Sequence, residues 1–503
     1  MVIVMPVSSN KLGYTWLIDH FALPHQYLAV VCCSAKISSI NKEASSQHYP
    51  VSYRPHNDTT VDHLTFALKY ESLNLSCLTA VFRQKAVKSE IEQALHANPT
   101  SKYNRLMGFY FELLTHQILE VPDLSTGNYV DAVDAKRYYV APTQRERRFR
   151  VNNNLVGNGW LSALMTRNAG LIGNDELCDL ARKPLAHHSM ELLARATHYL
   201  IALETKSTNE IEAETLTPGK QMKFMFALES INHDDLTKEK LIATLNIIKD
   251  KHYQEFDYRY QQNYLGKSGR GYASVNYVPP KPGDAHNLMG HWFTLRERVL
   301  SSDMPAIAKA AALSSSFVYI HPFMDGNGRL SRYIMQDTLY RDKVIDQQCA
   351  LPLSSGILKD IGGYYRLLSE TSRLIMKSVQ FELLDNYSVT VLNDTAELYR
   401  HLCFDAHASY LSDVSRKVAV ELIPDELEKL QQFDRLMEHL NESLDLSEKD
   451  LGLIANLLIG SQGKISVKKR KGTLQPIHAD DLNRAEAIYA DLFNELDSDT
   501  APR

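Results

Sequence analysis

The sequence predicts a mainly α protein, and three observations support this fold class. Apolar residues recur at helical spacing from Pro305 to Ile320. The stretch Arg329–Leu339 contains no Gly or Pro and keeps the same spacing, so a second helix should follow the first after a short loop. Strong helical periodicity also covers Leu422–Leu440 and Leu451–Leu458 near the C-terminus. We therefore expect a helical protein with a short loop at its centre.

The chain divides by pattern into three parts. Residues 1–185 form an N-terminal region of unknown role, with helical periodicity around Leu64–Arg83 and Lys102–Glu120. A polar, Arg-rich stretch at Gln144–Arg150 favours strand or loop. The remainder is predicted to comprise a central helical unit at about 186–385 and a C-terminal helical region at 386–503.

Length, charge and cysteine content narrow the class of protein. A chain of 503 residues can hold two or three domains. Its net charge of −5 gives no general attraction to nucleic acid or anionic membranes. Six cysteines without C-x-x-C spacing are typical of a reduced compartment. The N-terminus lacks a basic segment and no apolar run reaches about 18 residues, so we expect a soluble cytoplasmic protein without a signal peptide or membrane span.

The loop between the two central helices reads His-Pro-Phe-Met-Asp-Gly-Asn-Gly-Arg-Leu-Ser-Arg. His321 falls at the end of the first helix, and the ordinary pKa of histidine suits it to accept a proton from a hydroxyl. Asp325 is a hard oxygen ligand of the kind that Mg²⁺ accepts together with phosphate oxygens. The sequence therefore places a candidate base four residues before a candidate metal ligand.

The second half of the same loop is suited to binding phosphate. Gly326–Asn327–Gly328 lies at the start of the second helix, where unpaired N–H groups and the helix dipole attract anions. Glycine allows the close backbone approach that a bound anion needs. Arg329 and Arg332 are three residues apart on one helix and can share a polyphosphate. Together these groups favour chemistry on a nucleotide phosphate.

The segment resembles the signature of the Fic family, His-x-Phe-x-(Asp/Glu)-Gly-Asn-Gly-Arg-x-x-Arg, at every fixed position. A helix–turn–helix with glycines only for the turn would explain Gly326 and Gly328, but not the histidine, the aspartate and both arginines together. The resemblance implies a helical Fic core at about 186–385. It also implies nucleotide contacts from Phe323, Gly326, Asn327, Gly328, Arg329, Arg332, Tyr364 and Tyr365.

Upstream, the residues at about 269–280 resemble the hairpin flap of Fic proteins. A glycine-rich entry, β-favouring tyrosines and valines, and a Pro-Pro stop predict a short exposed strand or hairpin there, before a helix at Leu288–Val299. In the family the target segment docks on this flap by strand addition. The resemblance implies docking roles for four flap residues, namely Tyr272, Ser274, Val275 and Tyr277.

Downstream, Ile361–Leu368 resembles the helix whose aromatic residues line the adenine pocket of Fic proteins. Tyr364 and Tyr365 would then contact the base. The alternative is that both tyrosines are ordinary core aromatics, since aromatic pairs on helices usually pack against neighbours.

A further motif precedes the core. The segment Thr208–Ala213 resembles the inhibitory helix motif (Ser/Thr)-x-x-x-Glu-(Gly/Asn) of Fic proteins, on a helix expected at about 195–215. The resemblance implies that Glu212 pairs with Arg332 and displaces the γ-phosphate of ATP, with Thr208 as the hydroxyl residue of the motif. Ala213 departs from the usual Gly or Asn, which bears on the strength of inhibition. The alternative is an ordinary charged helix face.

The resemblance implies a protein adenylyltransferase that moves AMP from Mg·ATP to a hydroxyl of a target protein. His321 would deprotonate a Ser, Thr or Tyr hydroxyl, and Asp325 would hold Mg²⁺. The loop amides with Asn327 would stabilise charge on the α-phosphate. Arg329 and Arg332 would orient the β- and γ-phosphates. The implied partners are ATP, a protein target and a possible second copy of the chain.

Three alternatives remain open from the sequence. The same site removes AMP from proteins in some Fic members. Relatives also transfer phosphocholine, UMP or phosphate, although the intact Gly-Asn-Gly-Arg favours an adenylyl donor. From a different class, the basic cluster Lys464–Lys471 could make the protein a nucleic-acid-binding regulator, whereas such a cluster on an acidic chain is more often a solvated face.

Overall fold

The computed structural model describes residues 10–23, 30–34, 38–42, 46–167, 170–185, 188–214, 217–231, 235–249, 254–269, 272–346, 349–384 and 388–493. Most of these residues are helical, which confirms the mainly α fold class. The helices are α1 Gly13–His20, α2 Thr60–Tyr70, α3 Leu75–Phe82, α4 Val87–Ala97, α5 Lys102–Thr115, α6 Asn174–Arg182, α7 Met190–Ile211, α8 Pro218–Glu229, α9 Lys238–Ile248, α10 Pro282–Leu300, α11 Ala306–Ile320, α12 Asn327–Arg341, α13 Leu353–Lys359, α14 Ile361–Met376, α15 Asp405–Lys417, α16 Ile423–Ser443, α17 Glu448–Gly460, α18 Val467–Lys471 and α19 Ala479–Phe493.

The strands form small sheets at the periphery. They are β1 Val30–Ser34, β2 Asn41–Lys42, β3 Ser46–Pro50, β4 Val130–Asp131, β5 Gln144–Glu146, β6 Val151–Asn153, β7 Leu265–Gly269, β8 Tyr272–Tyr277, β9 Phe381–Leu383 and β10 Val389–Val391. In the N-terminal region β3 lies between β1 and β2, and β6 lies between β4 and β5. The other two sheets are antiparallel hairpins, β7–β8 and β9–β10.

The N-terminal helices differ in detail from the periodicity. The stretch Leu64–Arg83 forms two helices instead of one, because the chain is extended at Glu71 and the Asn74 side chain accepts a hydrogen bond from the amide of Cys77 to start α3. Helix α5 ends at Thr115, since His116 adopts a left-handed conformation with φ 58°. Helical spacing alone does not reveal such side-chain caps.

The two predicted central helices are present and pack together as α11 and α12. Every residue of α11 except Val318 is buried, as expected for a helix at the centre of a core. Helix α12 begins at Asn327, two residues before the predicted start, because Gly326 takes a left-handed φ of 86° and caps the helix. Helix α10 packs beside them and donates from Trp292 Nε1 to Ser316 Oγ at 3.0 Å.

The hydrophobic core around α11 and α12 continues beyond residues 186–385. It includes Tyr139 and Val156 from the N-terminal region and Leu411 from the C-terminal region. The buried guanidinium of Arg298 also donates to backbone carbonyls of the N-terminal region, namely those of Pro142, Asn153 and Leu155. The boundaries at 185 and 385 stay predictions, and the core crosses both of them.

The C-terminal helices α16, α17 and α19 enclose a separate apolar cluster. The basic cluster lies on and before the short helix α18. Arg470 Nη2 lies 2.6 Å from a carboxylate oxygen of Glu486, and Lys464 Nζ lies 3.4 Å from the other oxygen. The described part of the C-terminal region, residues 392–493, consists of helices, turns and loops and contains no strand. The cluster is therefore partly neutralised by its own neighbours, which favours a solvated face.

In the part of the chain that the structure describes, no helix has the length and apolar character needed to cross a membrane.

Candidate active site

His321 occupies the turn that ends α11. It caps the helix in a left-handed conformation with φ 50°, and its N–H bonds to the carbonyl of Phe317 at 2.9 Å. Its Nδ1 lies 3.2 Å from the carbonyl oxygen of Val318. A carbonyl can only accept, so Nδ1 carries the proton and Nε2 keeps its lone pair. The imidazole therefore presents a basic nitrogen.

The surroundings of His321 keep its ring neutral. Burial lowers the pKa to about 4, because the charged form loses its hydration. A hydrogen bond to Val318 acts in the opposite direction, the positive charge of Arg259 lowers the pKa further, and the carboxylates of Glu212 and Asp325 raise it. The neutral form is the one that can accept a proton, so the base is ready at neutral pH.

The loop after His321 is closed by one asparagine. Asn327 Oδ1 accepts from the amide of Phe323 at 3.0 Å, and Asn327 Nδ2 donates to the carbonyl of Phe323 at 2.8 Å. The phenyl ring of Phe323 is fully buried, with Tyr258 and Phe317 as neighbours. Both side chains therefore hold the loop in shape, and the nucleotide contacts that the resemblance implies for them stay predictions.

The start of α12 forms a cradle beside this loop. The first amides of a helix have no intrahelical acceptor, and Gly328 has no side chain that would fill the space above them. A Cβ atom on Gly328 would lie 2.0 Å from a carboxylate oxygen of Glu212. A carboxylate thus sits where the helix dipole and the amides attract an anion.

Arg332 is held by the segment that resembles the inhibitory motif. Its Nη2 lies 2.6 Å from Glu212 Oε1 and 3.0 Å from the carbonyl of Thr208, and its Nε donates to the Thr208 hydroxyl. Burial acts to lower the pKa of Arg332, but the charge of Glu212 holds that pKa above its ordinary value. The two motif residues Thr208 and Glu212 thus meet the same buried guanidinium.

Arg329 is held in the same way by a residue that the sequence analysis missed. Its Nη1 and Nη2 each lie 3.0 Å from an oxygen of Glu214, which makes a two-point contact. Its Nη2 also lies 3.3 Å from Asp325. Glu214 follows Glu212 by two residues. Its acidic side chain was the only feature of the sequence that could have indicated a contact with Arg329. Both motif arginines are therefore paired with carboxylates from the end of α7.

The end of α7 depends on Ala213. The helix stops at Ile211, earlier than the expected 215, and Ala213 turns the chain with a left-handed φ of 54°. Its amide bonds to Glu210 O at 3.0 Å, and the Glu214 amide bonds to Asn209 O at 3.1 Å, which is the Schellman arrangement. Glycine and asparagine tolerate this conformation, whereas alanine costs about 1–2 kcal/mol. The departure from Gly or Asn thus falls at a position where it carries strain.

Relief of this strain should strengthen the contacts of Glu212 and Glu214. We expect Ala213→Gly to lower basal self-labelling with ATP by about fivefold, which corresponds to about 1 kcal/mol. Ala22 supplies a matched control, because it has φ 50° and the same pair of bonds at the end of α1. Ala22→Gly should raise the melting temperature without changing the labelling. Higher labelling by Ala213→Gly would contradict the strain argument.

Asp325 is the candidate metal ligand. Its carboxylate side chain is 62% exposed at the mouth of the site, where Oδ1 accepts from the Gly326 amide at 2.7 Å and Oδ2 pairs with Arg329. In the described residues no group of three or more His, Cys, Asp or Glu is arranged to hold a metal. One accessible carboxylate fits Mg²⁺, which takes one or two protein ligands and completes its shell with phosphate oxygens and water.

The two tyrosines of α14 lie in different surroundings. Tyr364 is buried, and burial raises the pKa of its hydroxyl while the charge of the neighbouring Arg332 lowers it. Tyr365 is half exposed, and its hydroxyl donates to the carbonyl of Ile211 at 3.2 Å. Both rings therefore border the segment that pairs with Arg332, and contact with an adenine stays a prediction.

The flap is a hairpin of β7 and β8, longer than the predicted segment because it begins at Leu265. Tyr272 opens β8, while Arg270 and Gly271 of the predicted flap lie outside the described residues. Ser274 and Val275 are partly buried. The ring of Tyr277 is buried, and its hydroxyl donates to Tyr319 O at 2.5 Å. Tyr277 thus anchors the flap, and the docking roles of the flap residues stay predictions.

Comparison with known proteins agrees with the geometry. Residues 235–339 match the family model described as the Fic/DOC family. The protein adenylyltransferase Fic of Drosophila ananassae is 38% identical over 85 residues, which are 17% of this chain and 15% of that protein. The protein adenylyltransferase Fic of Aedes aegypti is 31% identical over 147 residues, which are 28% of this chain and 27% of that protein. The chain thus spans less than a third of the length of these relatives.

Two solved structures also align with the chain. A Fic family protein from Desulfovibrio desulfuricans G20 gives a TM-score of 0.38 at 16% identity, with 62% of this chain and 89% of that chain covered. A Fic domain containing signaling protein from Bacteroides thetaiotaomicron gives 0.34 at 16%, with coverage of 51% and 96%. The complete signature at 321–332, the family match and the sequence relatives together identify residues 235–339 as a Fic domain.

Proposed function

We propose that this protein is an adenylyltransferase that moves AMP from Mg·ATP to a hydroxyl side chain of a target protein. The observation that carries the proposal is the convergence of a neutral base, an exposed carboxylate and two buried arginines on the amide end of α12. These groups serve proton removal, metal binding and polyphosphate binding, respectively. The sequence relatives named protein adenylyltransferase Fic support the same reaction.

In the proposed reaction, Nε2 of His321 takes the proton of the target hydroxyl. The hydroxyl oxygen forms a bond to the α-phosphorus of ATP, and the bond to the β-phosphate oxygen breaks, so that pyrophosphate leaves. The amides at the start of α12, beside Gly328, stabilise negative charge on the α-phosphate. Arg329 and Arg332 bind the remaining phosphates and orient the leaving group.

Asp325 would hold Mg²⁺ in this reaction. When bound, the ion would neutralise phosphate charge as a Lewis acid. The carboxylate that would hold the ion also contacts one of the two proposed phosphate-binding arginines, since Asp325 Oδ2 lies 3.3 Å from Arg329 Nη2.

We expect Asp325→Asn to raise the Mg²⁺ concentration needed for half-maximal labelling by at least about tenfold, the loss typical of removing even an indirect metal contact. The amide keeps an oxygen that can accept from Gly326, so the loop should hold its shape. Titration of labelling against Mg²⁺ measures the effect. Labelling that persists unchanged in EDTA would contradict the proposed reaction.

The resting protein is proposed to be autoinhibited. Glu212 takes the place of a phosphate oxygen on Arg332, as the resemblance implies, and Glu214 does the same on Arg329. ATP bound in this state would have its α-phosphorus out of line with the attacking hydroxyl. The proposal therefore predicts low activity until the end of α7 moves away.

The direct test uses ATP labelled on the α-phosphate and, separately, on the γ-phosphate. The purified protein is incubated with each, alone and with a cell lysate, using the Glu212→Gly variant to remove inhibition. Label on protein from the α position alone supports AMP transfer. Label from the γ position would indicate phosphate transfer, and no label from either would overturn the proposal. Release of AMP from a labelled target by wild type would reveal the reverse reaction at the same site.

A further inference from the structure

One short segment connects the loop of the base to the flap. Residues 258–263 lie between α9 and β7. Within them, the amide of Arg259 bonds to Pro322 O at 2.8 Å, and its guanidinium Nε bonds to His321 O at 2.9 Å. Asn263 Nδ2 bonds to Phe323 O at 3.3 Å. Three consecutive carbonyls of the catalytic loop are thus held by this segment.

The same segment also holds the exit of the flap. Arg259 Nη2 donates to Pro280 O, and Gln262 Nε2 donates to Pro279 O at 3.0 Å. The two prolines lie between the end of β8 at Tyr277 and the start of α10 at Pro282. Arg259 therefore bonds with one side chain to both the carbonyl of His321 and the backbone beyond the flap. Arg259 thus links the catalytic loop to the backbone that follows the flap.

The guanidinium of Arg259 is buried without a counter-charge. Only 1% of the residue is exposed, and no carboxylate of the described residues lies within ion-pair distance of it. Burial lowers its pKa to about 10, so it stays charged at neutral pH. A buried charge that has carbonyls as its only partners is costly to maintain. What distinguishes Arg259 is which carbonyls it holds, since they belong to the catalytic loop and to the backbone after the flap.

We propose that Arg259 is a positioning residue that fixes the catalytic loop of His321 relative to the flap, and thereby the distance between His321 and a target hydroxyl docked there. This inference rests on the proposed function. A planar guanidinium can bond to two separate carbonyls in fixed directions, whereas the ammonium of lysine is a single point. An error of about 1 Å in such a geometry costs about 10²-fold in rate.

The test uses two substitutions in the Glu212→Gly background, so that activity is measurable. Arg259→Lys keeps the charge but loses the planar guanidinium that bonds to two separate carbonyls. We expect a roughly 10²-fold lower turnover with nearly unchanged ATP affinity. Arg259→Gln removes the charge as well. We therefore expect the acid limb of its pH profile to move to higher pH, toward the ordinary pKa of histidine. Of the charged groups that face His321, Glu212 is absent in this background and Asp325 is retained.

Arg298 supplies the matched control. It is also buried, and within the described part of the chain its guanidinium also donates only to backbone carbonyls, but these belong to the N-terminal region. Arg298→Lys and Arg298→Gln should lower thermal stability without shifting the acid limb. An unchanged rate and acid limb in both Arg259 variants would overturn the inference. Equal shifts in the Arg298 variants would overturn it too, since the effect would then be general.

A second readout does not require activity. The pKa of His321 can be followed by NMR in the full-length protein, assigned with His321→Ala, and we expect titration well below pH 6 in the parent. An upward shift in Arg259→Gln supports the charge effect even if no substrate is found. Titration of His321 near pH 6.5 in the parent would overturn it. If the Arg259 variants do not fold, Asn263→Ala tests the loop contact, and an unchanged turnover would then count against positioning.

Discussion

Replacement of His321 with alanine is expected to lower the rate of AMP transfer by about 10²–10⁴-fold and to leave ATP affinity nearly unchanged. A general base contributes to the transition state more than to the ground state, and its loss typically costs this much. The comparison is made in the Glu212→Gly background, by initial rates of α-label transfer and by direct ATP binding. Since the pKa of His321 is about 4, the neutral base is lost only as pH falls through that value. The parent rate should therefore show no loss from this group between pH 8 and about 5.

His407 provides the control for this experiment. It is also buried and its pKa is also lowered to about 4, and its Nε2 lies 2.9 Å from the hydroxyl of Tyr319 on α11. Among the described residues its ring neighbours are Tyr319 and Phe404, neither of which belongs to the signature at 321–332. His407→Ala should reduce stability without a comparable loss of rate. Near-parental transfer by the His321 variant would show that another group is the base.

Glu212→Gly should raise self-labelling by about tenfold or more. Hydrogen bonds to charged groups contribute about 1.5–3 kcal/mol, and the partial exposure of Glu212, at 35%, points to the lower end. The variant frees Arg332 for the γ-phosphate and opens the space above Gly328. Arg332→Ala should not activate the enzyme, because it deletes the phosphate contact along with the inhibitory pair.

We expect the release of inhibition to be stepwise, because each of the two arginines is paired with its own carboxylate. Glu212→Gly leaves Glu214 on Arg329, so we expect the double variant with Glu214→Gln to label more strongly than either single variant. Glu210→Gly is the matched control, because Glu210 lies near the same helix end and pairs only weakly with Lys206 at 3.9 Å. Activation by Glu210→Gly of the same size would mean that a loosened helix is responsible. Equal labelling by wild type and Glu212→Gly would mean that the Glu212 contact does not inhibit.

Much of the central architecture could be predicted from the sequence, because the information is local. Apolar spacing indicates α11 and α12, and the glycines between them place the loop. Family resemblance alone suggested that Glu212 faces Arg332, although 120 residues separate them. No periodicity could reveal such a contact, since it depends on how α7 packs against α12. The pairing itself is present in the structure, and its inhibitory role remains a prediction.

The features that sequence reasoning missed are long-range or conformational. Glu214 has no motif around it, and its role depends on the turn at Ala213. Arg259 is one basic residue in a polar stretch, and its importance comes from carbonyls that lie 21 and 62 residues away. Asn327 has side-chain bonds that could be known only once the loop was closed. In each case the sequence shows the residue type but not the group that the side chain contacts.

The continuous core around α11 and α12 has a consequence for how the chain can be divided. A fragment of residues 186–385 would leave Arg298 without its carbonyl acceptors and would expose apolar side chains that now face Tyr139, Val156 and Leu411. Loss of partners for a buried charge costs several kcal/mol, a large part of the stability of a typical domain. Residues 186–385 are therefore not expected to fold stably without the flanking residues that contact them. The parts of the flanking regions that pack on this core, such as Tyr139, Val156 and Leu411, share its hydrophobic cluster, whereas the cluster enclosed by α16, α17 and α19 is separate.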